Sequence, residues 1–563
     1  MNTGELNLSW ADAFIAALAA AGLHRVVLAP GARSAPLALA CLRRPELSCE
    51  VMTDERAAGY FALGLAKAEC VPAAVLCTSG TAAANLLPAV MEANLAGVPL
   101  LVLTADRPPE AHGWGANQTA DQLRLYGSQV RAFHAVSVPD AAVDQAYLRT
   151  LAARLVEECQ GPLPGPVHAN LPFREPLLPD HIPPPPPLPR PPIRTETRAG
   201  CDDVTELAAM LTGRPGVIVC GEMPGTGAQA FAAAVTALAA VLDAPILAEP
   251  LSGLRHGAHD RSRVLAHQAL FLRQESLPQP EWVLRFGAFP VSRVVQRWLG
   301  KLGAARHVLV APPGRWPDPL WHTDQWVRAE PAAFIAALSP HVSAAPAAWR
   351  AAWSRAETDA AGHAARTCAQ DPWFEGTVAR CLLAALPVGG NCFVGNSLAI
   401  RAVDAFGGTS ARSLTLHGNR GASGIDGNVA TAAGIAVASD AALAVLIGDQ
   451  AALHDCGGFT ALAGRDVVVV VMDNGGGGIF DHLPFAKSVP DTLLRRGWTA
   501  PPQVDFAALA ATFNLRHAEA DDAAGLDRAL VQAFAAGGPW LLRARIDRRA
   551  SQARFDMRQI RGG

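Results

Sequence analysis

The chain has 563 residues, 17% of them charged, and a net charge of −3 at neutral pH. That length leaves room for several domains and for cores large enough to stand without metals or disulfides. No basic block stands out, which argues against a nucleic-acid partner, and the low charged fraction fits broad subunit interfaces or a biased composition.

The opening MNTGELNLSWADAF lacks the basic and apolar regions of a secretory signal. The 11 cysteines lie singly, with no CxxC pair, as suits a reducing compartment. The longest near-apolar run, 230–242, is too short to cross a bilayer. These features predict a cytoplasmic chain without membrane insertion.

Short β-rich runs ending in glycine or polar turns come first: RVVLAPGARS, AAVLCTSGTAAAN, LLVLTADRP and GPVHANLP. Between the first two lies TDERAAGYFALGLAKA, residues 53–68, a helix of small and apolar residues headed by charge. Thr53 or Asp54 suits its N-cap, and Glu55 suits the positive end of the helix dipole. HIPPPPPLPRPPI follows at 181–193; proline excludes helix and central strand there, leaving a polyproline spacer or an SH3-type ligand, of which a linker suits a chain of this size. The pattern resumes with GVIVCGEM, APILAEP, WVLRFGAF and RHVLVAP, crosses a helical connector near 345–366, and ends with NCFVGNSLAIR, LAVLIGDQ, DVVVVVMDNGG and WLLRARID. Buried strands alternating with helices predict an α/β fold of three doubly wound parallel-sheet domains, with ligands at the carboxyl ends of strands. The expected boundaries are 1–180, a linker at 181–197, 198–345 and 346–563.

In the last set, LAVLI ends in Gly448-Asp449-Gln450, and VVVVVM ends in Asp473-Asn474 and the glycines 475–478. One carboxylate and one amide oxygen at adjacent strand ends are hard donors suited to Mg²⁺. Glycines let backbone groups approach a diphosphate closely. Either feature alone has an ordinary structural reading; together, between two strongly apolar strands, they point to a cation–diphosphate site.

Gly448-Asp449 followed by Asn474 resembles the motif of thiamine diphosphate (ThDP) enzymes. The resemblance implies a ThDP-binding fold in the N- and C-terminal domains and a Rossmann-like middle domain. It also implies Mg²⁺ (or Mn²⁺) held by Asp449, Asn474 and the Gly476 carbonyl. It gives Glu55 a second reading, as the glutamate that hydrogen-bonds the aminopyrimidine N1′ across a subunit interface, so that at least a homodimer, and by family a homotetramer, is expected. Gln450 and Asp473 depart from the commonest form of the motif.

Within that superfamily, APGARSAPL, DERAAGYFALGLAK, TSGTAAANL, LTADRPPE with GANQ, FVGNSLAIR, NRGASGIDG and GGGIF resemble the SEPHCHC synthase family of menaquinone biosynthesis, along nearly the whole chain. That family decarboxylates 2-oxoglutarate and adds the succinyl unit to isochorismate in a 1,4 sense. Both substrates are dicarboxylates, and arginine's planar fork suits them. By resemblance, Arg401 and Arg420 with Ser397 serve the 2-oxoacid, while Arg33, Arg107 and Arg293 serve isochorismate. Asn117 and Gln118 add hydrogen bonds, Gln118 beside the reacting centre. Thr81, Gly448 and Ile425 join the cofactor contacts, Ile425 as the bulky residue behind ThDP. Ile479, Phe480 and Leu483 form an apolar wall that excludes water. Ala32, Ser292 and Gly475 depart from the family pattern. Another ThDP carboligase, such as an acetohydroxyacid synthase, and a non-catalytic ThDP-binding sensor or scaffold are the alternatives.

Overall fold

The computed structural model describes residues 1–190, 204–223, 228–272, 277–312, 314–370 and 372–555. It contains three six-stranded sheets, in which every strand pairing is parallel. The first comprises β1 (Arg25–Leu28), β2 (Ser48–Val51), β3 (Ala73–Cys77), β4 (Leu100–Asp106), β5 (Ala132–Ala135) and β6 (Val167–Pro172). The second comprises β7 (Gly216–Cys220), β8 (Ile246–Ala248), β9 (Val264–Leu265), β10 (Trp282–Phe286), β11 (Arg306–Val310) and β12 (Thr323–Val327). The third comprises β13 (Asn391–Val394), β14 (Thr415–His417), β15 (Leu443–Gly448), β16 (Val467–Asp473), β17 (Arg516–Ala520) and β18 (Trp540–Arg545).

The orders are β2-β1-β3-β4-β6-β5, β12-β11-β10-β7-β8-β9 and β14-β13-β15-β16-β18-β17. Counted from its own first strand, the third sheet repeats the order of the first. The second has the 3-2-1-4-5-6 order of dinucleotide-binding folds. In the first and third sheets the order reverses between the first and third strands, so ligands are expected beyond the ends of β1 and β3, and of β13 and β15.

Each sheet contains the four strands legible in the sequence and two more at its edges. The missed strands are β2 and β5, β9 and β12, β14 and β17. Central strands are mostly apolar because helices cover both faces, although β4 and β6 carry Thr104, His168 and Asn170; β16, with five consecutive valines, is buried over all but its last residue. Edge strands are short or partly exposed, as in β2 and β12, and present no continuous apolar run.

Contacts divide the chain into two compact units: 1–196 with 419–440 and 455–462, and 197–418 with 441–454 and 463–563. In the first unit, the helix Glu55–Glu69 packs along the helix Asn428–Val437. A Cβ on Gly64 would lie 2.1 Å from the Thr431 carbonyl oxygen, so the two backbones meet directly. That close approach accounts for the small residues along the first helix. Residues 181–190 of the proline stretch form neither helix nor strand, while 191–197 lie outside the described residues. Arg43 Nη1 donates to the Pro183 carbonyl at 2.6 Å and Arg44 Nη2 to that of Pro186 at 3.0 Å. The prolines thus lie along the first unit.

In the second unit, the connector is the helix Ala347–Cys368, whose Trp349 and Trp353 are buried. Trp349 Nε1 donates to the Gly216 carbonyl at 2.9 Å, docking this helix on β7. The ten described cysteines are free. No described helix is long and apolar enough to cross a membrane.

Candidate active site

In the first unit the site grows out of a buried polar network between β4 and β6. Thr104 Oγ1 lies 2.7 Å from His168 Nε2 and donates to Asn170 Oδ1 at 2.7 Å; Asn170 Nδ2 donates to Asp106 Oδ2 at 2.7 Å. Burial lowers the His168 pKa to about 3, so the imidazole is neutral. Gln122, fully buried, donates to Asn170 Oδ1 and to the Ala105 carbonyl, and accepts from the Gly80 N–H at 2.8 Å. The turn after β3 is thereby fixed from below. Gln118 fixes it from the side: its Nε2 donates to the Ser79 carbonyl and its own carbonyl accepts from Ser79 Oγ, both at 2.9 Å. Gln118 and the turn leading to Thr81 therefore form one assembly, with Asn117, Gln118 and Thr81 exposed.

Asp54 is the N-cap of the helix Glu55–Glu69, accepting from the Arg56 and Ala57 N–H groups at 2.9 and 3.3 Å. Capping is therefore done by Asp54. Half-buried Glu55 makes no hydrogen bond or ion pair among the described residues. It neighbours Cys77 at the end of β3, whose thiol pKa is pushed up by burial and by the Glu55 charge.

Arg33 and Arg107, after β1 and β4, converge on one carboxylate that the sequence did not single out. Arg33 Nη2 and Arg107 Nη1 both donate to Glu175 Oε1, at 2.5 and 3.2 Å. Arg33 also donates to the Phe173 carbonyl at 2.8 Å. The Nε atoms of both arginines are buried without hydrogen-bond partners among the described residues.

The loop carrying Arg420 and Ile425 also belongs to the first unit. Buried Glu92 accepts from the N–H groups of Gly421, Ala422 and Ser423 at 2.8, 2.6 and 3.4 Å. Tyr60 donates to Asp426 Oδ2 at 2.5 Å. The Ile425 side chain, so framed, is 37% exposed and does not pack as core.

In the second unit, Asp449 and Asn474 follow β15 and β16, and both are buried. Asp449 accepts from the Gln450 and Gly476 N–H groups, each at 2.7 Å. Burial raises the Asp449 pKa, the Asp473 charge adding to the shift and the Gly476 hydrogen bond opposing it. A carboxylate so costly to ionise is one that a cation would stabilise. Asn474 Nδ2 donates to Glu375 Oε1 at 2.7 Å, while Asn474 Oδ1 is buried without a partner among the described residues. An orphaned amide oxygen beside an oxygen-rich carboxylate fits a hard divalent cation.

Gly476 has φ +116°, and a Cβ there would lie 2.1 Å from the Thr499 carbonyl oxygen. Only glycine suits that position. The two departures in the motif also find partners. Gln450 Nε2 donates to the Ala500 carbonyl at 2.6 Å, and Asp473 accepts from Arg543 at 2.8 and 2.7 Å.

Ser397 and Arg401 come together, Arg401 Nη1 donating to the Ser397 carbonyl at 2.6 Å. Arg401 lies inside the helix Leu398–Phe406, whose N-cap is Ser397. Ile479, Phe480 and Leu483 are half-buried after the glycines. Arg293 opens the helix Arg293–Gly300, is exposed, and makes no hydrogen bond or ion pair among the described residues. Gln122, Glu92, Glu175 and Glu375 were missed because each is joined to the site through partners distant in sequence, outside any motif.

Family models match along the chain: the thiamine pyrophosphate enzyme N-terminal TPP binding domain at 8–125, the thiamine pyrophosphate middle domain at 193–394, and the C-terminal TPP binding domain at 402–544. These define a thiamine diphosphate-dependent enzyme. The chain is 43% identical over 553 residues to a 2-succinyl-5-enolpyruvyl-6-hydroxy-3-cyclohexene-1-carboxylate synthase of Dechloromonas aromatica (strain RCB), covering 96% of this chain and 99% of that one. It is 37% identical to the enzyme of that name from Roseiflexus sp. (strain RS-1), covering 97% of each, and 40% identical to that of Geobacillus kaustophilus (strain HTA426), covering 96% and 95%. The chain belongs to this synthase family.

Proposed function

We propose that the protein decarboxylates 2-oxoglutarate and adds the resulting succinyl unit to isochorismate, giving the product for which its relatives are named. When bound, thiamine diphosphate supplies an electron sink for loss of CO₂ and for carbon–carbon bond formation. Asp449, Asn474 and the Gly476 carbonyl hold Mg²⁺ or Mn²⁺, and with it the diphosphate, beside Gly448. Glu55, with no competing partner among the described residues, holds a proton at the aminopyrimidine N1′. Gln118, fixed to Ser79, orients the reacting group near Thr81, and Ile425 supports the cofactor. Arg33 and Arg107, with Arg293 and Asn117, bind isochorismate; Ser397, Arg401 and Arg420 bind 2-oxoglutarate. Ile479, Phe480 and Leu483 exclude water from the reacting carbon.

The observation that carries the substrate assignment is the convergence of Arg33 and Arg107 on one carboxylate oxygen, an arrangement already suited to a carboxylate ligand. At least a homodimer, with a homotetramer implied by the family resemblance, and a cytoplasmic location complete the reading, with domains at 1–180, 198–345 and 346–563. The test mixes the protein with ThDP, Mg²⁺, 2-oxoglutarate and isochorismate, and follows isochorismate loss and CO₂ release together. Equal consumption is expected. CO₂ release with isochorismate untouched would leave the cofactor chemistry and remove the acceptor.

A further inference from the structure

A primary amide has one face that can serve a cation and one that cannot. An asparagine ligand therefore has to be held the right way round, and at Asn474 the means of doing so is on the far side of the amide. Glu375, the first residue of the helix Glu375–Ala385, is wholly buried, and its Oε1 accepts from Asn474 Nδ2 at 2.7 Å. The same oxygen accepts from Ser551 Oγ at 2.7 Å. Ser551 is itself buried, on the helix Arg548–Phe555. That helix is pinned where the glycine loop ends, since Arg548 Nε donates to Asp481 Oδ2 at 2.7 Å.

Glu375 Oε1 accepts both of these hydrogen bonds and so presents an acceptor to the amide. It admits the Asn474 amide with nitrogen inward and rejects the flipped form, in which two oxygens would face each other. Burying a carboxylate to satisfy one amide and one hydroxyl is costly when a neutral acceptor would serve. What the carboxylate adds is discrimination between the two amide orientations. Resting on the cation reading above, we propose that Glu375 is a positioning residue for the metal ion: it locks Asn474 so that Oδ1, which has no protein partner among the described residues, faces the cation.

The test titrates Mn²⁺ into the full-length protein saturated with ThDP, reading free Mn²⁺ by electron paramagnetic resonance, with the metal-free thermal midpoint measured alongside. Glu375→Met removes the acceptor and is expected to weaken Mn²⁺ binding by about 10- to 100-fold. Glu375→Gln both donates and accepts, so it admits either amide orientation; with about half the molecules competent, the apparent Kd should rise about twofold. The graded order Met, Gln, wild type is the signature of orientation control. Wild-type affinity in a folded Met variant would overturn the inference. So would equal weakening in both variants that tracks an equal fall in the metal-free midpoint, which marks a structural role alone. If the Met variant does not fold, an unchanged Kd in the Gln variant overturns it. Wild-type protein that binds no Mn²⁺ would remove the cation reading, and this inference with it.

Discussion

At the end of β3 the chain turns through Thr78, Ser79 and Gly80, and that turn is fastened by Gln118 and Gln122 near Glu55, which has no hydrogen-bond or ion-pair partner among the described residues. At the end of β15, the equivalent position of a sheet with the same strand order, the chain presents Asp449 beside Asn474. One strand order thus carries two chemistries. In the first sheet the polar groups extend into the strands, with Thr104, His168 and Asn170 buried and mutually bonded. In the third, β16 is apolar through Met472, and polarity begins only at Asp473. Under the proposed function, the first arrangement sets a carboxylate near neutral donors for proton transfer, and the second gathers oxygens for a cation. The sheet supplies positions, and the residues at its strand ends decide what those positions do.

The comparison predicts that binding and proton transfer separate by unit. Glu55→Gln should lower turnover by about 10²- to 10⁴-fold while ThDP affinity, measured by equilibrium dialysis, changes little. Asp449→Asn should do the reverse first: ThDP and Mg²⁺ binding weakened by at least about 100-fold, read by the same dialysis. Two variants that both lose binding, or both keep it, would break the division.

The buried imidazole gives the first unit an acid sensitivity that the third sheet lacks at the equivalent place. The His168 pKa is about 3 in the folded chain, below the ordinary value near 6.5, so folding favours the neutral ring. Its contribution is complete above about pH 6.5 and is lost as pH falls from there toward 3. By pH 5 the loss is about 2 kcal/mol, from roughly 1.4 kcal/mol per pH unit. The drop in thermal midpoint between pH 7 and pH 5 should therefore be smaller in His168→Gln than in the wild type.

The smallest expected effect concerns Glu175, whose side chain is 66% exposed although it bridges two buried or half-buried arginines. An exposed ion pair is worth up to about 1 kcal/mol. Releasing Arg33 and Arg107 in Glu175→Ala should lower the KM for isochorismate by about two- to fivefold, and steady-state kinetics with that substrate varied would detect it. A raised KM would mean that Glu175 orders the arginines instead of competing for them.

The sequence exposes what is apolar and continuous. All four central strands of every sheet were legible, whereas β2, β5, β9, β12, β14 and β17 were not, because an edge strand is short or half in water and resembles a loop. Asp449 and Asn474 were legible because strand ends bracket them. Glu375 was not: it meets Asn474 from 99 residues away and stands in no motif. Nor does order along the chain place 419–440 with the first unit, which depends on glycine-to-backbone contacts between two helices far apart in sequence. Glu55 stands in the first turn of its helix, as the dipole reading expects, and the cap itself falls to Asp54.

The most direct test of this account is hydrogen–deuterium exchange at the thiazolium C2 of bound ThDP, followed by quenched-flow NMR in wild type and Glu55→Gln. Bound cofactor is expected in both, with exchange slowed by about 10²-fold or more in the variant. Exchange at the wild-type rate with cofactor fully bound would contradict it, and would return Glu55 to the role of an ordinary first-turn carboxylate.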